Sequence, residues 1–551
     1  MENVQAGQRT DEDTIAPRRR GLSRAASLGF HPFLFAAASV LGLGASNLRE
    51  VYFTDVAPAL AAVLALALVL FVAFGAVLRT FGAKAALLAS IAIVAGLYYA
   101  ELVDAANRYL GLGLSPVAML PFMLAALGLL VAAGAWLRAD LTPANAVLNC
   151  IALAVLIPPA WSVASNAWTL GGGSSLAAEA PDELTHTAGI ASPGAGMAGA
   201  RQRPDIYYFI FDRYGSQSVL ADHYGFDNSG MTDFLEENGF YVASESRANY
   251  LKTAHSLAST FHMDYLDFLK EDPRSETGAW HPIYDMVKDH RVGHFLKSQD
   301  YRFIQIGAWW APTQASPLAD ENHRFGFTEF DNRYLGKTIV PAMLDAVAPE
   351  STVARRLQWD NGQCQRVPKQ IEKVKEIARR DGPTFTFVHI LVPHDPYVFT
   401  SDGRCLRPEE MRKRKQPEAY IEQVRYANSL IRDFVPALLE EDGPKPVIII
   451  QADEGPFPKR YRGGNRSWHE ATRDELDIKT GILNAFYFPD GDYGDLDPGI
   501  TSVNTFRVVF DKYFGTKLGR LPDRVYAFPD IFQIYDFHEI TDDLPPPRPG
   551  T

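Results

Sequence analysis

VIIIQADEGP (447–456) carries an apolar strand straight into two adjacent carboxylates, Asp453 and Glu454, and then into Gly and Pro. Taken by itself the stretch fits a solvated loop at a strand end, where acids are common, as well as it fits a pair of site carboxylates. The rest of the chain decides between them.

Four more apolar runs share its texture: IYYFIFD (206–212), YRFIQIG (301–307), TFTFVHIL (384–391) and ILNAFYF (482–488). Helical patterns separate them, and strands alternating with helices predict an α/β domain with a mainly parallel sheet buried on both faces. In such sheets functional groups gather beyond the carboxyl ends of the strands. Asp212 closes the first run as FDRYG, where it serves equally as turn chemistry or as a ligand. His389 lies within TFTFVHIL, as a hydrogen-bonded core residue or a site residue, and His394 follows on a loop stiffened by two prolines, PHDP. Between the first two runs, NYLKTAHSLASTFHMDYL (249–266) places Thr253 just before an Ala/Leu-rich helical pattern. Thr253 reads as a helix N-cap, and a hydroxyl there also faces free amides and the positive dipole end, which favour a bound or developing anion.

The first third of the chain is of another kind. Its 551 residues are 47% hydrophobic overall, but long Ala/Leu/Val runs are confined to five segments, 31–46, 56–78, 85–103, 116–136 and 143–164. Four are about long enough to cross a hydrocarbon core of roughly 30 Å, and the first is marginal and open to reading as a signal peptide. Arg18, Arg19, Arg20 and Arg24 precede the first, Arg79 and Lys84 separate the second from the third, and Arg138 follows the fourth. Basic loops alternate, which predicts a cytoplasmic amino terminus and an external carboxyl-terminal part. The expected organisation is a cytoplasmic tail (1–29), an all-α bundle of about five transmembrane helices (30–167), a Gly/Ala/Ser/Pro-rich linker (168–203), the α/β domain (204–535) and a tail (536–551).

A formal charge of −12 argues against a nucleic-acid partner. Three cysteines without metal-type spacing exclude zinc fingers and thiol redox motifs. Cys364 and Cys405 each follow a turn-like segment, DNGQC and SDGRC, and in an oxidising external compartment they are expected to pair. Cys150 is expected to be a buried thiol of the fifth span.

In the order and placement of these motifs the chain resembles the alkaline phosphatase/sulfatase superfamily, over roughly residues 204–515, and in particular its membrane-anchored branch of lipoteichoic acid synthases and phosphoethanolamine transferases. The resemblance implies an alkaline-phosphatase-like sheet flanked by helices. It implies metal ligation by Asp212, Thr253, Asp453 and Glu454, with Thr253 of TAHSLAS as nucleophile and Ser256 as its helix-side neighbour on the substrate side. HILVPHDPY resembles the segment with two His five apart, which implies that His394 contacts the transferred group and His389 the substrate. His469, in RSWHEATRD, is a further candidate for substrate contact, or a plain surface histidine.

The chain departs from the family at Glu454, which stands where His is usual. An all-carboxylate set makes a harder, more anionic site, so one divalent cation is expected, with manganese, magnesium or calcium favoured over zinc. A Cys-x-Pro-x-Arg segment is absent, which disfavours formylglycine-dependent sulfate ester hydrolysis. The expected enzyme is a metal-dependent hydrolase or transferase of the inner (plasma) membrane with its catalytic domain in the periplasm, taking phosphate esters of membrane lipids or envelope glycans through a covalent Thr intermediate. The alternative is a degenerate member with a glycan-binding or envelope-assembly role.

Overall fold

The computed structural model describes residues 28–171 and 203–546, apart from 273–274, 276–277, 350, 356, 358–359, 381, 441–443 and 462–465. The arginines at 18, 19, 20 and 24 and most of the expected linker lie outside the described residues. The chain divides into two units, residues 1–172 with 330–357, and residues 173–329 with 358–551.

The first unit is helical: α1 (His31–Ser46), α2 (Phe53–Leu78), α3 (Ala83–Leu97), α4 (Tyr99–Leu110), α5 (Pro116–Trp136) and α6 (Thr142–Gly171). Three helices are long and apolar enough to cross a membrane, Phe53–Leu78, Pro116–Trp136 and Thr142–Trp168. The third apolar run, expected as one span, breaks at Tyr98 into α3 and α4, bent by 76°, and counts as a span only if the pair is taken together. The bend follows from composition, because α4 carries Glu101, Asp104 and Arg108 on a strongly amphipathic helix, which suits an interface rather than a hydrocarbon core. Helix α1 is shorter than a span. Cys150 is exposed on α6 and not buried as expected; on a helix long and apolar enough to cross a membrane, an apolar thiol needs no protein partner.

Two helices of the carboxyl-terminal half belong to this unit: α8 (Glu329–Lys337) and α9 (Val340–Val347). Phe330 and Tyr334 are buried among Ala36, Val40, Val63, Ile93 and Leu97. The Tyr334 hydroxyl is 2.7 Å from Ser39 Oγ, and Lys337 Nζ donates to Glu101 Oε1 at 3.2 Å.

The second unit is built on a seven-stranded sheet: β1 (Ile206–Phe211), β2 (Tyr241–Val242), β3 (Arg302–Ile306), β4 (Glu321–His323), β5 (Thr384–Ile390), β6 (Val447–Gln451) and β7 (Asn484–Tyr487), in the order β2-β7-β6-β1-β5-β3-β4. Strands β6, β1, β5, β3 and β4 run parallel, and β7 and β2 add an antiparallel edge. Every residue of β1, β5 and β6 is buried, which explains their unbroken apolar runs. Phe209 and Phe211 stack on Phe434 of α11 (Gln416–Glu440) on one face, while Tyr208 and Phe387 meet Phe261 of α7 (Thr253–His262) on the other.

Cys364, at the start of α10 (Gln363–Ile377), is bonded to Cys405, with Cα atoms 5.8 Å apart. The expected pairing therefore forms.

Candidate active site

Strands β6, β1 and β5 are neighbours, so their carboxyl ends open onto one place. Ile210 is in register with both His389 and Gln451. Two residues on, β1 delivers Asp212 and β6 delivers Asp453 at the same level. The period of two keeps Tyr208, Ile210, His389 and Gln451 on one sheet face, the face that α7 covers. The amino terminus of α7 brings Thr253 to the same level. Ligand oxygens of Asp212, Asp453 and Glu454 lie within 4.8 Å of one another, and all three residues are buried.

Their surroundings set their charge states. Burial raises the Asp453 carboxyl well above its ordinary range, and repulsion from Asp212 and Glu454 adds to this; the nearby Thr253 hydroxyl and the Arg213 amide, which donates at 3.1 Å, oppose it. Burial works the same way on Asp212, but His394, His389 and Arg213 outweigh it and hold that carboxyl below the usual range. Neighbouring acids are thus driven apart, the pattern of a site that holds a proton or a cation between carboxylates.

Arg213 has φ 64°, a left-handed conformation that costs a non-glycine residue about 1–2 kcal/mol. The twist lets its amide reach Asp453 while its side chain bonds Glu454 Oε1 at 3.1 Å and pairs with Asp395. Lys479, in α12 (Arg473–Thr480), approaches Glu454 Oε1 to 2.7 Å. Burial pushes the Lys479 ammonium down to about 7, with Glu454 partly offsetting the drop. Phe457 lies under three cations, with Lys479 Nζ at 3.6 Å from its ring centroid and Arg213 and Lys252 each at 4.5 Å. Gly455 makes this arrangement possible: a Cβ there would stand 2.2 Å from the Ile478 carbonyl oxygen, so only glycine lets α12 come this close. The sharp Gly-Pro turn after the two acids therefore seats Lys479 against Glu454.

Thr253 is the first residue of α7, behind Lys252 as cap residue, so its hydroxyl is not spent on capping, and it lies near enough to Asp453 to act against the rise in that carboxyl's pKa. The expected cap falls one residue earlier. Ser256 is buried, and its hydroxyl donates to the Tyr250 carbonyl at 3.0 Å. His389 Nδ1 is 2.7 Å from Thr313 Oγ1, and Nε2 faces Asp212 Oδ2 at 3.4 Å. His394 borders the site beside Asp395 and Arg213; burial and then Arg213 lower its pKa. The His469 ring stacks on His538 at 4.1 Å, and among the described residues no contact joins it to the carboxylates. Arg213 and Lys479 were not singled out from sequence. Arg213 adjoins Asp212 and was open to inspection, whereas Lys479 lies 25 residues beyond Glu454 in an ordinary polar helix.

The residues present fit a divalent cation. Asp212 Oδ1, Asp453 Oδ2 and Glu454 Oε2 are buried with no partner at full hydrogen-bond distance among the described residues, an arrangement that costs several kcal/mol unless charge is supplied. The donors are oxygens, which suits hard cations.

Residues 204–506 match the family model for sulfatases. Among solved structures the chain is similar to the periplasmic domain of EptC from Escherichia coli, at 13% identity and a TM-score of 0.39, covering 62% of this chain and 94% of that one. It is also similar to a phosphonate monoester hydrolase of Agrobacterium radiobacter (11%, 0.39, covering 59% and 80%). A third is the soluble domain of lipooligosaccharide phosphoethanolamine transferase A from Neisseria meningitidis (12%, 0.36, covering 58% and 92%). No curated protein matches.

Proposed function

The chain belongs to the sulfatase family and is a sulfatase-like hydrolase or phosphoryl-group transferase, and from that premise we propose that it cleaves phosphate esters of envelope lipids or glycans through a covalent intermediate on Thr253. The observation that carries this reading is the Thr253 hydroxyl set at a helix amino terminus against Asp453, beside the unpartnered oxygens of Asp212 and Glu454. Asp212, Thr253, Asp453 and Glu454 would hold one manganese, magnesium or calcium ion. When bound, such an ion supplies positive charge that favours the ionised hydroxyl and stabilises charge on phosphoryl oxygens.

The chain's own groups account for the proton movements. The Asp453 carboxylate, beside the Thr253 hydroxyl, takes the Thr253 proton as the Thr253 oxygen bonds to phosphorus and the ester P–O bond breaks. His394 as the imidazolium gives a proton to the leaving oxygen, and as the imidazole it takes one from the incoming water or acceptor hydroxyl. Attack by that oxygen on phosphorus then releases Thr253, which recovers its proton from Asp453. Arg213 and Lys252 offer donors for the non-reacting phosphoryl oxygens.

The membrane helices support an amphiphilic or surface-bound substrate and a multi-pass place in the inner membrane. Helices α8 and α9 pack near Asn47, Gly96, Glu101 and Met119, at the helix ends opposite those carrying Arg79, Lys84 and Arg138. With basic loops inside, that arrangement favours a catalytic domain on the periplasmic side.

One observation favours the second reading, a degenerate binding protein: Lys479 and Arg213 already compensate Glu454. Elemental analysis of the purified full-length protein separates the two. About one cation per chain, lost in Asp453→Ala, supports the enzyme; no metal in wild type and none regained from manganese or magnesium supports the binding protein.

A further inference from the structure

Helix α9, VPAMLDAV, has two unlike sides. Ala342 is buried with Tyr99, Val103, Met119 and Leu120, so α9 is seated against α4 and the first turn of α5. The Ile339 amide just before it donates to the Gly96 carbonyl at 2.8 Å. The opposite side presents Val340, Met343 and Val347, exposed by 37%, 44% and 83%. Spacings of three and four residues place them in one stripe. Val353, 43% exposed in the following turn of helix, extends the apolar character beyond α9. Water is a poor neighbour for such a stripe, and a polar face would be expected if α9 merely covered the bundle.

The helix that α9 packs against carries exposed apolar side chains of the same kind. On α5, the helix that α9 packs against, Phe122 and Leu129 are exposed by 64% and 73%, as lipid-facing side chains of a span should be. Helix α9 meets this span near its first residues, the end the charge pattern assigns to the outside.

We propose that the Val340/Met343/Val347 face of α9 is a lipid-contacting surface, inserted among the acyl chains of the external leaflet. The inference rests on the membrane placement of the helical unit. It makes residues 330–357 a second attachment: the chain leaves the sheet-containing unit after Glu329, enters the bilayer boundary through α9, and returns by Gln358. An enzyme that takes an amphiphilic substrate is thereby tied to the leaflet from within its own sequence, in addition to its amino-terminal linker.

The test uses the full-length chain with Cys150→Ser, reconstituted in vesicles of phosphatidylethanolamine and phosphatidylglycerol. Met343→Cys, Val347→Cys, Leu129→Cys and Glu237→Cys each carry a nitroxide, and collision with oxygen is compared with collision with a water-soluble nickel chelate. The proposal expects oxygen to dominate at 343, 347 and 129, and nickel at 237. Nickel dominance at 343 and 347 with oxygen dominance at 129 overturns the proposal alone; nickel dominance at 129 as well overturns the membrane reading beneath it. Protection from both reagents at 343 and 347 means that protein, such as a second copy, covers the face, and also overturns it. Bimane at position 347, quenched by dibrominated acyl chains only if it lies among them, gives an independent readout should a nitroxide variant fail to reconstitute.

Discussion

Lys479 Nζ lies 2.7 Å from Glu454 Oε1, with both side chains wholly buried. The same oxygen accepts Arg213 Nε at 3.1 Å, while Glu454 Oε2 has no hydrogen-bond partner among the described residues. One edge of the carboxylate is thus held by protein cations and the other is turned to the site. Removing Lys479 leaves the carboxylate half-compensated in a dry environment. Lys479→Met is expected to cost about 3–5 kcal/mol, as breaking a buried pair does. Saturating manganese should raise the melting temperature of this variant more than that of wild type, because the cation replaces part of the missing charge. An unchanged melting temperature without metal would show that the pair contributes nothing.

Asp453 offers a prediction with a defined sign. Its folded-state pKa is raised, by burial and then by Asp212 and Glu454, so without metal its stability contribution falls as pH climbs from the unfolded carboxyl value through the folded one. At neutral pH the metal-free Asp453→Asn protein should therefore be more stable than wild type, on the order of 1–3 kcal/mol, and the advantage should vanish below about pH 4. Its metal uptake should be lost. Thermal unfolding across pH with chelator present checks the first part, and elemental analysis the second.

Thr253 and Ser256 separate chemistry from support. The Thr253 hydroxyl lies near Asp453 and Lys252 occupies the cap position, so Thr253→Ala should abolish turnover at a stability cost under about 1 kcal/mol. Ser256→Ala strips a buried carbonyl, that of Tyr250, of its donor and should cost about 1–3 kcal/mol with turnover largely kept. Melting temperatures beside rates on one phosphate diester or monoester show whether the two effects separate in this way.

The five apolar runs and the acids at their ends were legible because a strand buried on both faces has no alternative composition, and because a parallel sheet opens its carboxyl ends on one side. Asp212 and Asp453 could be nominated on that ground, and Thr253 from its place at the start of an Ala/Leu-rich helical pattern together with the family resemblance. Lys479 could not, because its approach depends on Gly455 admitting a helix to van der Waals distance, a tertiary fact with no local pattern. Nor could the inclusion of 330–357 in the helical unit be read, since Phe330 and Tyr334 look like ordinary core residues of the domain around them and their partners are far away in sequence, Ser39 standing 295 residues before Tyr334. The break at Tyr98 was missed because the apolar count of 85–103 masked the charges that begin at Glu101.

The bond between Cys364 and Cys405 closes a loop across 41 residues and joins α10 to the turn before residue 408. A loop of that length corresponds to about 4 kcal/mol in the chain-entropy account. Cys364→Ser with Cys405→Ser should lower the melting temperature. In unreduced wild type only Cys150 should react with a membrane-permeant maleimide, and three thiols should react after denaturation and reduction; reaction of Cys364 or Cys405 before reduction would contradict the bond.

Whether Thr253 carries the transferred group is read by mass spectrometry of the peptide that contains it. Full-length protein is loaded with manganese, incubated with extracted envelope lipids, quenched in acid and digested. A phosphoryl-linked mass increase on Thr253 is expected, absent in Thr253→Ala and in metal-depleted protein. Turnover of the same lipids by Thr253→Ala at the wild-type rate, or an adduct mapped to Ser256 instead, would contradict it.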